Sequence, residues 1–292
     1  VYKRQVQTGY VRNYGFEAML SYGHRWGDFG WDSSFTFSTN KNEIVELVKD
    51  YIHPESGKTY NVDKLELKTD EGRGFGKAKF ILKEGGTLGD LYTHADLKRD
   101  INGNVLVDND GNVTAIDNAG DIKLGSVLPK ANLAWNNSFS YKGVNVGFLL
   151  TARLGGIAYS ATQAYLDLYG VSETSAAARD AGGVWINGRS RVNPQGFYSV
   201  VASQSGLPTY YTYSATNLRL QEARIGYTIP RRWLGNVCDV NVSLVGKNLW
   251  MIYCKAPFDP EAVATTNNYY QGIDYFMMPS TRNIGFNIKI NF

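Results

Sequence analysis

The densest group of residues able to do chemistry in this 292-residue chain is Asp108-Asn109-Asp110-Gly111-Asn112, with Asp117 and Asp121 downstream. Oxygen donors at this spacing suit a hard cation such as calcium, with Asp108, Asp110 and Asn112 as the weak candidate ligands. The fit to an EF-hand loop is poor, because Gly111 comes early and no Glu closes the loop. The plainer reading is a pair of tight turns, Asn102-Gly103 and Asp110-Gly111, each followed by Asn-Val. His24, His53 and His94 stand in separate segments without ligand spacing. Neither HExxH, paired cysteines nor a nucleophile elbow appears, and no glycosidase carboxylate pair can be named. The sequence thus assigns no catalytic residue, metal or cofactor, and the expected role is not enzymatic.

Two other sets could meet a ligand without covalent chemistry. The first is aromatic: Tyr165, Tyr169, Trp185, Tyr210, Tyr211, Tyr213, Tyr269, Tyr270, Tyr275 and Phe276 all fall in segments read as loops. Flat rings suit sugars and the apolar parts of peptides, although most such rings pack loops together. Trp185, Tyr210, Tyr211, Tyr269 and Tyr270 are the ones assigned to ligand contact. The second set is Arg153, Arg219 and Arg224, which interrupt strand patterns and must face a polar side. Arg231 and Arg232 are read as solvated turn residues.

The elements that carry these residues are strands. From Ile284 to the end, Ile284, Phe286, Ile288, Ile290 and Phe292 alternate with polar residues or glycine. Period two gives one apolar and one polar face, over about the 9–11 residues a tilted strand needs to cross a bilayer. The same alternation marks Tyr10 to Arg25, Trp31 to Asn40, Ala131 to Tyr141, Val144 to Leu154, Asn217 to Ile229 and Asp239 to Trp250. Weaker strands are read at Leu65 and Leu67 and at Lys77 to Lys83, joined by a turn at Gly72, Gly74 and Gly76. The total is about nine strands. Short turns at 26–28, 72–76, 142–143 and 230–236 then share one end. Long connections at 41–64, 84–130, 156–216 and 251–281 share the other, as in outer-membrane barrels.

Composition is consistent with this. Thirty basic and 27 acidic residues leave a net charge of +3, too balanced to argue for nucleic acid. No stretch approaches the ~18 consecutive apolar residues of a membrane helix. Twenty Tyr, thirteen Phe and six Trp beside 31 Gly suit aromatic girdles and tight turns. Cys238 and Cys254 flank a single strand that would hold them roughly 50 Å apart, so they are not expected to pair. The chain starts at Val1 without Met or signal peptide, and Val1 to Gln5 (VYKRQ) is read as a non-native leader. Residues 6–292 are accordingly expected to be a piece of a longer protein.

Several segments, in order, resemble the C-terminal part of the SusC/RagA family of TonB-dependent transporters. They are RNYGFEAMLSYGHRWGDFGWDSSFTFSTNKNEIVEL (Arg12 to Leu47), GDLYTHADLKRDINGNVLVDNDGNVTAID, LGSVLPKANLAWNNSFSYKGVNVGFLL, NLRLQEARIGYTIPRRWL, VNVSLVGKNLW, KAPFDPEA, GIDYFMMPSTR and NIGFNIKINF. Likeness is weakest from Gly155 to Tyr213. The resemblance implies an all-β fold: an antiparallel membrane β-barrel, of which this chain supplies part of a 22-stranded wall. It implies that the plug and the TonB-engaging segment lie upstream, and that the final strand, Ile284 to Phe292, is the assembly signal. It further implies residence in the cell outer membrane of Bacteroidetes-type bacteria and import of glycans or peptides. The implied partners are a SusD-like surface lipoprotein acting as lid, TonB–ExbB–ExbD as energy source, and outer-membrane lipid. On that reading the loop aromatics meet substrate or lid, and the three arginines face the lumen. A self-contained small barrel acting as passive channel or adhesin, and a secreted carbohydrate-binding module, remain alternatives.

Overall fold

The computed structural model describes residues 9–53, 56–67, 77–203, 206–263 and 271–291. Its main element is an antiparallel sheet of seven strands in chain order: β1 (Tyr10–Trp26), β2 (Phe29–Glu46), β3 (Ala131–Tyr141), β4 (Val144–Leu154), β5 (Asn217–Ile229), β6 (Asp239–Cys254) and β7 (Asn283–Asn291). Every neighbour pair is antiparallel, and β1 and β7 are the two open edges. Sequence alternation becomes two faces through the register. One row crosses the sheet as Trp31, Phe139, Val146, Ile225, Leu244 and Phe286, each opposite the next. A second joins Leu20, Phe35, Trp135 and Leu150. These side chains are not covered by the fold: Leu20 is 74% exposed and Phe286 78%. An apolar sheet face of this extent belongs in an apolar surrounding.

Polar atoms on that face are tucked inward. The Trp31 indole N–H donates to Asn137 Oδ1 at 3.1 Å, and the Trp135 N–H donates to Ser33 Oγ at 3.0 Å. Asn137 is buried although it lies on the apolar side, with the rings of Trp31 and Phe139 parallel beside it at 6.3 Å.

Connections sort by length. Residues 27–28, 142–143 and 230–238 close one end, whereas 47–130, 155–216 and 255–282 project from the other. Lys142 and Gly143 both adopt positive φ, 45° and 89°, as a two-residue type I′ hairpin requires.

The long connections build a lobe with its own core. It contains a four-stranded sheet ordered Ile122–Ser126, Asp90–Thr93, Lys79–Lys83, Lys64–Glu66, and a three-stranded one ordered Thr212–Ser214, Ile157–Ser160, Ile273–Asp274. Three helices, α1 (Ala161–Leu168), α2 (Glu173–Asp180) and α3 (Pro194–Val201), are capped by Ser160, Ser172 and Asn193. Phe80, Leu91, Tyr159, Val201, Leu207 and Ile273 are buried among them.

This corrects the strand reading. The wall has seven strands among the described residues, and Leu65 and Lys79 to Lys83 belong to the lobe. Adjacent Phe80 and Ile81 are both buried, and a short apolar run of this kind reads as a strand wherever it lies. Residues 47–130 form a single connection leaving β2 and returning at β3, while the turn read at 72–76 lies outside the described residues. β2 runs to Glu46 and β6 to Cys254, so the outer connections begin later than 41 and 251.

Candidate functional site

The face opposite the apolar rows is mainly polar, with Met19, Ala134, Leu149 and Val245 interspersed. Register places Thr36, Ser38, Asn132, Thr151, Arg153, Arg219 and Arg224 on this side, continuing through Thr228, Asn241, Ser243, Asn287 and Lys289. Register puts all three of these arginines on the same side of the sheet. Two cavities of about 400 Å³ open on this face. The one nearer the turn end is lined by Ser138, Asn145, Arg224, Thr228, Asn241 and Lys289. The one nearer the lobe is lined by Thr36, Ser38, Asn132, Thr151, Arg153, Gln221 and Glu261. Hydroxyls, amides and mixed charges on this face offer hydrogen bonds to a ligand.

Residues 255–263 fold back over this face as a strap. Arg219, only 5% exposed at its side chain, holds Asp259 with two bonds, Nη1 to Oδ2 at 3.1 Å and Nη2 to Oδ1 at 2.7 Å. Its Nη2 also lies 3.3 Å from Glu261, whose other oxygen accepts from Asn217 at 3.2 Å. Sequence reasoning found Arg219 but missed Asp259 and Glu261. A charged residue in a strand needing a counter-charge was the signal that pointed to them.

The lobe disposes of the loop aromatics unevenly. Trp185 is 57% exposed on the hairpin Val184–Ile186/Ser190–Val192, with the Arg191 guanidinium 4.8 Å from its ring centroid. Asn187 pins that hairpin through its amide to both backbone groups of Val105, at 3.2 and 2.8 Å. Tyr210 packs edge-on against Phe197. Tyr211 is corrected: at 2% exposure it is a core residue whose hydroxyl donates to buried Asp167 at 2.9 Å. Burial there pushes its phenol well above its ordinary value. Tyr269, Tyr270 and Phe292 lie outside the described residues. A further aromatic group is half-buried Tyr165 and Tyr275 with exposed Phe276, the Tyr165 and Phe276 rings 5.3 Å apart. Phe276 holds a left-handed φ of 49° that a bulky side chain seldom adopts.

The acidic stretch is built as turns. Asp100 Oδ1 accepts from the backbone N–H groups of Asn102 and Asn104, and Asp108 Oδ1 from those of Asp110 and Asn112. Both carboxylates thereby act as local turn acceptors. Among the described residues no group of His, Cys, Asp and Glu has metal-binding geometry. Cys238 and Cys254 are both free.

One ion network ties the four-stranded sheet of the lobe. Lys79 reaches Glu66 at 2.6 Å and Lys64 reaches Asp121 at 2.7 Å. The His94 ring lies between, 3.3 Å from each carboxylate. Lys79 holds the Glu66 carboxyl below its ordinary value, and Lys64 does the same for Asp121. Lowered values mean the stabilisation is complete above the usual carboxylate range of about 4 and is lost as pH falls through them. Protection factors for amides of Lys64–Glu66 and Lys79–Lys83 should hold from pH 7 to 5 and drop below about pH 4. A flat profile to pH 3 would show that the network contributes nothing.

Comparison with known proteins gives a consistent picture. No family model matches the chain. It is 25% identical over 98% of its length to TonB-dependent receptor P3 of Formosa agariphila, and 25% identical over its whole length to receptor P26 of the same organism. The chain spans 29% and 30% of those relatives. In structure it matches a chain of the RagAB peptide importer in its closed-closed state, with TM-score 0.65 and 18% identity. That match covers 97% of this chain and 30% of the other. A structure of the RagAB peptide transporter matches equally, at TM-score 0.65 and 17% identity. The likeness to TonB-dependent receptors read from the sequence therefore extends along nearly the whole chain, and the fold is that of part of such a barrel wall.

Proposed function

We propose that this chain is the C-terminal part of the barrel wall of a SusC-like TonB-dependent transporter in the outer membrane. The observation that carries the proposal is the two-faced wall itself. A mainly apolar face backs a mainly polar one, with three short turns at one end and three long connections at the other. Two open edges fit the remainder of a larger barrel, since unpaired strand edges are not tolerated in lipid. The short turns then face the periplasm and the lobe faces outward. The polar face lines the lumen, and Arg153, Arg219 and Arg224 lie along it.

Transport on this reading needs no covalent step. Glycans or peptides pass along hydroxyl, amide and charged side chains, gated by a plug supplied upstream and energised by TonB–ExbB–ExbD. The lobe presents Trp185 and the Tyr165, Tyr275 and Phe276 group to a SusD-like lipoprotein or to the solute. The likeness to the RagAB peptide importer and transporter favours the peptide alternative.

The test is uptake by cells carrying the full-length gene. Labelled oligopeptides and oligosaccharides should enter in a manner abolished by deleting TonB or collapsing the proton gradient. Uptake that survives both treatments would mean a passive channel. A lipoprotein should co-purify with the wild-type protein and be lost when residues 156–216 are replaced by a short linker.

A further inference from the structure

Arg153 differs from the other arginines of the polar face. It closes β4 between Asn132 and Asn217 in the register. Its Nη2 donates to the Val127 carbonyl at 2.8 Å, but its Nε–H is shielded from solvent and has no partner. Among the described residues no carboxylate comes within ion-pair distance of it, whereas Arg219 nearby takes both Asp259 and Glu261. The guanidinium is half-buried, and the charge that acts on it is Glu261 on the strap, beyond ion-pair distance, so a partner in direct contact would be favoured. The cavity beside it, about 400 Å³, falls within the range of small-molecule sites. Around it Asn132, Thr151 and Gln221 supply further donors, while Glu261 on the strap supplies the opposite charge.

We infer that this cavity is a docking subsite for a carboxylate carried by the solute, with Arg153 as the group that receives it. A guanidinium edge matches a carboxylate in geometry as well as charge, and a neutral hydroxyl offers neither. The inference rests on the transport reading for its biological meaning, but its chemistry is testable by binding alone. The peptide C-terminus and the uronate are the two natural sources of such a group, and both present the same two oxygens.

The experiment uses the full-length protein in detergent and measures equilibrium binding of matched probes. One pair is a fluorescent tripeptide with a free C-terminus and its C-terminal amide; the other is a uronate disaccharide and its neutral counterpart. In at least one pair the wild type should favour the acid by about tenfold, as a charge-assisted hydrogen bond warrants. The pair that shows the preference identifies the source. Arg153→Gln should abolish the preference and Arg153→Lys should retain part of it, both with wild-type heat-modifiable mobility on gels. Acid preference that persists in Arg153→Gln, or is missing from the wild type in both pairs, overturns the inference. Uptake that proves independent of TonB would instead sink the transport reading and leave the binding result standing.

Discussion

Replacing Arg219 by alanine should release the strap at residues 255–263 from the polar face. The pair it breaks is deeply buried, and Asp259 is held by a two-pronged bond rather than a loose surface contact. Removing one partner of a buried pair costs about 3 kcal/mol, because the other charge is left without compensation. Here the carboxylates can swing outward, so the loss should appear as strap detachment and not as collapse of the wall. Hydrogen exchange at 255–263 should rise by about two orders of magnitude, while β5 and β6 stay protected. Arg219→Lys should give an intermediate result, since an ammonium lacks the planar fork. Unchanged exchange in the alanine variant would show that the strap is held elsewhere. Acid should mimic the substitution. Burial alone would raise the Asp259 carboxyl, but its bond to Arg219 outweighs this and holds it below the ordinary range. The tie is therefore complete above about pH 4 and is lost as pH falls through the lowered value.

The second large effect is expected at the final strand. Phe286 stands opposite Leu244 at the end of a row of apolar side chains that crosses all of β2 to β7. Phe286→Arg would place a charge on that face, where the proposed lipid contact makes it cost up to about 2–4 kcal/mol. The full-length variant should lose its heat-modifiable band and accumulate unassembled. Asn287→Arg, one residue along and on the polar face opposite Ser243, should assemble normally. Equal assembly of both variants would remove the basis for assigning the apolar face to lipid.

Much of the wall could be read from sequence because alternation is a backbone fact: in a strand, neighbours must point to opposite faces. The runs Ala131–Tyr141 and Val144–Leu154 and the Lys142-Gly143 turn appear where the residues put them. The lobe was harder. Its helices are eight residues each, too short for a 3.6-residue period to stand out, and only their Ser and Asn caps left a trace. Lys79–Lys83 looked like a wall strand because Phe80 and Ile81 are apolar neighbours in a small buried sheet. Residue type also could not tell Trp185, left outside, from Tyr211, drawn in by Asp167. That distinction depends on contacts more than forty positions apart in sequence.

The inward-turned indoles on the apolar face carry a consequence for the membrane. Tryptophans at a barrel rim ordinarily act as floats, because each N–H seeks headgroups or water while its ring stays in hydrocarbon. Trp31 and Trp135 have no such need, since Asn137 and Ser33 already accept their hydrogen bonds. Their depth is set by the strands they sit on and not by the waterline. In the proposed membrane setting, the wall can ride higher or lower in a bilayer that thickens or thins locally, and neither ring leaves a dangling donor when it does.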